Sequence, residues 1–315
     1  MITILPYIIT RLFIRKRYTL EGDELRHLAT ARNFYKFWNR SFYDFHPPLY
    51  SWFIRYLKSG VMVSFLCSLG LYVVSSKLYD SLLLTPPQKA IALTFLAFNY
   101  TLIYYSNRTF RYQLAALLGT LTIYLLVNHC YLAAGFSWGL LGLTCTFAGL
   151  RGFFVWALLG FNPITLLTFL PIFGIWFVEK VKVYMDNEYY PSGQEGKIER
   201  VRDFTWKQLL SPMYFPWAYS YYGKSELGYD FRNWFKKIAG VFGLYPPLTF
   251  LLPFALFFMV KGMINSPLWV SILVVCLLYP SLYKRFLPRN SIIAIPLIGF
   301  LLAKGMPDFI MRWLF

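Results

Sequence analysis

Long apolar runs separated by short clusters of charge make up most of this chain. A helix needs about 20 apolar residues to cross a hydrocarbon core, and runs near that length cover 60–79, 89–106, 110–133, 238–260, 267–283 and 290–304. The stretch 137–180 is apolar apart from Arg151 and the Glu179-Lys180 end. Its length admits two full spans or three short ones hinged near Gly152 and Pro163. The opening residues, Met1 to Ile14, are followed by Arg15, Lys16 and Arg17 with no small-residue cleavage site, which predicts a short first span rather than a removable leader. Together the runs predict an all-α integral membrane protein, a polytopic bundle of about 8–10 transmembrane helices. No fixed-period repeat or linker divides it, so residues 1–315 read as one membrane domain.

Two polar segments interrupt this pattern. The first, about 15–58, contains a helical stretch from Glu24 to Trp38 in which Leu28, Ala31, Tyr35 and Trp38 share one face. The second, about 181–237, mixes Lys, Arg, Asp and Glu with Trp, Pro and paired tyrosines and reads as a loop outside the membrane. Its cluster of Tyr214, Phe215, Trp217, Tyr219, Tyr221 and Tyr222 suits either a headgroup-level aromatic belt or the lining of a substrate site.

Composition agrees with a bilayer as solvent: 57% hydrophobic, 21% aromatic and only 14% charged residues are too apolar for a soluble globule of this length. The net charge of +17 would suit nucleic acid, yet no basic helix, zinc spacing or RNP-like pattern accompanies it. Anionic lipid is the expected partner and nucleic acid is not. Many of the basic residues read as interfacial anchors beside spans. Cys67, Cys130, Cys145 and Cys276 lie in or at the ends of apolar runs without Cys-x-x-Cys or Cys/His ligand spacing, which argues against a metal cluster or a disulfide frame. The lone His27 and His129 read as helix-face residues rather than ligands.

Candidate chemistry gathers in the first polar segment. Gly22-Asp23-Glu24 is followed about twenty residues later by His46-Pro47-Pro48-Leu49-Tyr50, which leads into the next apolar run. An Asp-Glu pair after a first span, then His-Pro-Pro-Leu, resembles the first extracytoplasmic loop of GT-C glycosyltransferases, in particular the protein O-mannosyltransferases and their aminoarabinose-transferase relatives. Three further stretches look like the same family: Ser106-Asn107-Arg108 opening a span, Gly142 to Arg151 as a span ending in a basic residue, and Arg285-Phe286-Leu287-Pro288 before a final span.

The resemblance implies a GT-C bundle with an amphipathic helix in that first loop. The activity it implies is transfer of a sugar from a polyprenyl phosphate, dolichyl or undecaprenyl, to a protein, lipid or glycan acceptor. The active site would face the periplasm, the cell exterior or the endoplasmic-reticulum lumen. Such chemistry needs a carboxylate to take the acceptor's proton and cations to stabilise the departing phosphate. Asp23 is then the general base, or a metal ligand if a divalent cation is used, and Glu24 orients it or the loop helix. Position alone also suits Asp23 as a helix cap. Arg108 and Arg285, with Arg111 in reserve, would clamp the carrier phosphate, although Arg111 and Arg285 also suit snorkelling at span ends. His46 would either satisfy backbone groups of the Pro-Pro turn or contact phosphate or metal. One departure stands out. Family members carry an acidic residue shortly after the Ser-Arg element, whereas the matching position here, five beyond Arg108, is Gln113. A two-carboxylate metal site is therefore in doubt, leaving metal-independent catalysis or a ligand from Asp44, Glu21 or the long loop.

Two other readings compete: a flippase or transporter for a polyprenyl-linked lipid, which predicts ionisable residues inside spans, and a non-catalytic membrane assembly subunit. Asn-x-Ser/Thr patterns at Asn39, Asn99 and Asn107 are too short to assign a compartment.

Overall fold

The structure, a computed structural model, describes residues 4–13, 22–32, 48–174, 251–281 and 292–307. Among these, every regular element is a helix and no strand forms. In chain order they are α1 (Ile4–Phe13), α2 (Gly22–Arg32), α3 (Leu49–Leu57), α4 (Gly60–Ser81), α5 (Pro86–Phe98), α6 (Tyr100–Ser106), α7 (Tyr112–Val127), α8 (Tyr131–Gly142), α9 (Thr146–Leu158), α10 (Ile164–Phe169), α11 (Leu252–Ile264), α12 (Pro267–Ser281) and α13 (Ile295–Gly305). The chain is thus all-α over the described residues. The polar segment 181–237 lies outside them.

One described helix, α4, is long and apolar enough by itself to cross a membrane. Pro253–Ile264 and Pro267–Val274 pass the same test only as a pair, bent by 116°. Several runs that read as continuous spans are divided instead. The run 89–106 breaks at Asn99, whose side chain accepts from Leu102 N–H and so starts α6 as a new helix. This is the competition between an Asn side chain and the helical backbone expected of that residue. The run 110–133 breaks after Val127. There His129 takes a left-handed φ of 58°, while Cys130 N–H bonds Leu125 O and His129 N–H bonds Leu126 O. That crossed pair is a Schellman closure, so His129 is an exposed turn residue rather than a helix-face one.

The stretch 137–180 is described as far as Gly174 and contains the end of α8, then α9 and α10. A break does fall at Pro163, which precedes α10. Gly152, expected as a hinge, instead lies inside α9, where a Cβ would overlap the indole of Trp138. Its role is close packing. The run from Gly142 to Arg151 is not one span either, since a break at 143–145 separates α8 from α9. A π-turn over Leu170–Gly174 extends α10 past Pro171, which has no N–H for the regular ladder. The described part of the first apolar run, α1, is ten residues long, about half of what a hydrocarbon core requires.

α4 is central. Ser59 caps it through Met62 N–H, and it packs against α7, which packs in turn on α8, while α5 packs on α13 and α13 on α11. Ser64, Ser68 and Ser75 of α4 are buried, whereas Met62, Leu66 and Val73 face outward. Across the bundle the Tyr79 hydroxyl donates to Pro296 O at 2.7 Å, tying α4 to the start of α13.

α4 ends much as α7 does. Leu83 has φ 56° and lies between the bonds Leu83 N–H to Asp80 O and Leu84 N–H to Tyr79 O. A side chain in this left-handed position costs about 1–2 kcal/mol that glycine avoids. Leu83 is also 82% exposed, so its side chain contributes little packing. Leu83→Gly is expected to raise stability by about 1 kcal/mol, read as a higher thermal unfolding midpoint of the purified protein. A lowered midpoint would contradict this turn geometry.

Candidate active site

The Asp-Glu pair opens α2. Asp23 is the second residue of that helix, and its side chain lies outside the described residues. Glu24 follows and is 0% exposed. Its Oε2 accepts from Arg108 Nη2 at 2.7 Å, and its Oε1 accepts from the Thr109 backbone N–H at 2.9 Å. The buried face of α2 therefore carries Glu24, His27, Thr30 and Ala31, with Leu28 only half-buried, rather than the purely apolar face its periodicity suggests. Tyr35 and Trp38 of the expected face lie outside the described residues. A carboxylate with a guanidinium and a backbone donor to meet can be buried where an unpaired one could not.

Arg108 is held from several sides. Its Nη1 hydrogen-bonds the Tyr104 hydroxyl one turn back on α6, and its guanidinium lies 5.0 Å from the Tyr104 ring centroid and 5.4 Å from that of Phe110. At 5% exposure it is as much an interior group as Glu24. Arg111 differs. It stands at the cap position of α7, half-buried, with its guanidinium 5.9 Å from the Tyr112 ring. Here the turn between α6 and α7 directs one arginine into the ion pair and leaves the other nearer the surface.

A second layer supports the turn. His27 of α2 meets the Tyr50 ring edge-on at 5.0 Å. The Tyr50 hydroxyl lies 3.0 Å from Gly60 O and 2.9 Å from Ser64 Oγ, which lies 3.1 Å from Phe110 O, so two hydroxyl protons serve these three contacts. Gly60 has to be a glycine here, because a Cβ would overlap the Thr109 side chain. The carbonyls ending α2 are approached by Arg55 of α3, 3.4 Å from Ala31 O and 3.5 Å from Arg32 O. These contacts bind α2, α3, α4 and the turn 107–111 into one unit.

Gln113 stands where the resemblance leads one to expect a carboxylate. It is fully buried, and its Nε2 donates to Leu102 O at 2.7 Å, a bond an ionised carboxylate cannot make. The position thus serves the short helix α6, whose last carbonyls also receive Ser106 Oγ and Asn107 Nδ2 at Ile103 O. Among the described residues no three His, Cys, Asp or Glu side chains gather as a metal site. Both Glu24 oxygens already accept hydrogen bonds. Glu24 is thus engaged in the ion pair, and the side chains of Asp23 and His46, the proposed metal ligands, lie outside the described residues.

Of the sequence-predicted site residues, Glu24 and Arg108 come together, Arg111 lies on the same turn and Asp23 on the same helix. His46, Arg285, Asp44 and Glu21 lie outside the described residues. Asn99, part of a glycosylation-like pattern, is buried as the cap of α6, so the pattern there serves the fold. Tyr104, Thr109 and Tyr50 were not legible as site residues, because their parts depend on contacts between distant segments. Arg11 was missed as well, although a lone cation inside an apolar run is a signal that could have found it. Comparison with protein-family models, curated proteins and solved structures finds no match for this chain.

Two outcomes follow from the geometry. Glu24→Leu and Arg108→Leu, each removing one partner of the buried ion pair, should cost about 3–5 kcal/mol apiece, and the double variant markedly less than their sum. Simple additivity in thermal or denaturant unfolding would show that the two charges are uncoupled. Gln113→Glu should destabilise by about 1–3 kcal/mol by opposing a carboxylate to Leu102 O. An unchanged unfolding midpoint would remove that bond from the structure's support.

Proposed function

We propose that this chain is a multi-pass membrane glycosyltransferase of the GT-C type, acting at the extracytoplasmic face on a polyprenyl-phosphate sugar. The observation that carries this reading is the Glu24–Arg108 pair. It joins the Asp-Glu element of the first polar segment to the Ser-Asn-Arg element, two of the stretches in which the chain resembles that family, across 84 residues of sequence. The outward apolar and inward serine faces of α4 support a lipid surround. The charge of the chain suits a phosphate-bearing substrate.

In the proposed reaction, an acceptor hydroxyl oxygen bonds to the anomeric carbon as the bond from that carbon to the carrier phosphate oxygen breaks. The hydroxyl proton passes to the Asp23 carboxylate, and the carrier leaves as its phosphate anion. Glu24, already neutralised by Arg108, is the anchor rather than the base, and it fixes the first turn of α2 on which Asp23 lies. Arg108 is committed to Glu24 and Tyr104, so Arg111 takes the larger share of the phosphate, with Arg285 and His46 as the remaining phosphate contacts. Lipid carrier and acceptor are the partners, the acceptor being a protein, lipid or glycan, with the polar segment 181–237 proposed to meet it.

A flippase or transporter draws on one observation, the fully buried cation Arg11 inside α1. That guanidinium is occupied by backbone carbonyls and Ser68, which leaves it poorly disposed toward a cargo.

The test is sugar transfer by the purified protein in liposomes from a radiolabelled polyprenyl-phosphate sugar. Asp23→Asn should reduce transfer by roughly 100-fold or more at unchanged thermal stability. Arg111→Leu should raise the KM for the carrier. Transfer at the normal rate by folded Asp23→Asn would sink the assignment, and lipid movement without transfer would favour the flippase.

A further inference from the structure

Arg11 is fully buried, and the ion pairs among the described residues, Lys89–Asp80 and Arg108–Glu24, do not include it. Its counter-charge is backbone. Nη1 donates to Ala97 O at 3.1 Å and to Tyr7 O at 3.1 Å, and Nη2 donates to Leu96 O at 3.2 Å. Nε donates to Ser68 Oγ at 2.9 Å, and the guanidinium lies 3.4 Å from the Tyr7 ring centroid. Thr10 Oγ1 adds a second donor to Ala97 O at 3.1 Å.

Leu96 and Ala97 are in the last turn of α5. In an unbroken helix their carbonyls would accept from the N–H groups of residues 100 and 101. Asn99 is extended, with φ −69° and ψ 116°, and turns those donors away. The end of α5 therefore presents freed carbonyls with partial negative charge. A forked guanidinium satisfies both and still reaches Ser68 of α4, which a compact ammonium cannot do.

Both segments that meet at Glu24 and Arg108 leave from this point. Beyond the break, α6 carries Tyr104 and runs on to Arg108 and Thr109. Beyond Arg11, α1 leads to α2 and Glu24. We infer that Arg11 is a positioning residue for the candidate active site. It holds the α5–α6 break in its bent form and binds α1 to it, which sets the meeting of α2 with the 107–111 turn. The distance arm of the test below stands without the glycosyltransferase reading, and only the kinetic arm rests on it.

The experiment uses the full chain in nanodiscs, with the four native cysteines replaced by Ala and spin labels at Leu25 on α2 and Tyr100 on α6, which are 52% and 41% exposed. With Arg11 present, one narrow distance distribution is expected. Arg11→Met should broaden or displace it, Arg11→Lys should recover it only in part, and in the transfer assay kcat should fall while the KM for the carrier holds. Arg11→Gln, which retains amide donors for one carbonyl, serves as a milder variant if Arg11→Met does not yield folded protein. A lowered melting temperature with the narrow distribution intact in any of these variants would reduce Arg11 to a general stabiliser and overturn the inference. Absence of transfer by the unsubstituted chain would count against the proposed function and leave the distance result standing.

Discussion

Wherever a helix breaks in an apolar interior, the backbone groups it frees must find partners inside the protein, and this requirement organises the structure around its candidate site. The break at Asn99 leaves carbonyls at the end of α5 and makes α6 a helix of only seven residues, too short for its own ladder to satisfy most of its groups. Five polar side chains nearby answer that need. Asn99 takes Leu102 N–H, Gln113 gives to Leu102 O, Ser106 and Asn107 give to Ile103 O, and Arg11 gives to Leu96 O and Ala97 O. The polar residues of this region are thus first a scaffold.

What the scaffold presents is a buried ion pair. A carboxylate and a guanidinium removed from water lose several kcal/mol of solvation each, and their attraction compensates only when the remaining donors and acceptors are also met. At Glu24 and Arg108 the further contacts come from Thr109 N–H, the Tyr104 hydroxyl and the aromatic faces of Tyr104 and Phe110. Such a pair is a costly way to gain stability and a good way to fix a register, because a one-residue slip of α2 would strand both charges. That suits a helix whose neighbouring residue, Asp23, is the proposed base.

The same geometry redistributes the parts assigned to the charged residues. A guanidinium already bonded to a carboxylate is a poor first contact for a phosphate, so the reading moves weight from Arg108 to the half-buried Arg111. Gln113 changes meaning as well. Set against the family that the chain resembles, it stands where a carboxylate is expected, and seen in place it is the donor to Leu102 O of α6.

The sequence by itself determined the helical class, since apolar runs with few strand-like alternations leave little else to form. It also marked the Asp-Glu pair, Arg108 and Arg111 as charges set beside apolar runs, and Pro163 as a break. It did not disclose the divisions at Asn99 and His129, because neither carries the Gly or Pro that usually announces one, and a hydropathy pattern is blind to a side chain capping its own backbone. Arg11 was similarly hidden in an otherwise apolar run. Only the tertiary structure decided that Glu24 pairs with Arg108, that Arg11 closes the end of α5 and that Gly152 packs against Trp138. Each of those contacts depends on where two separate segments lie relative to one another, and periodicity along one segment reports which face is apolar, not what that face will meet.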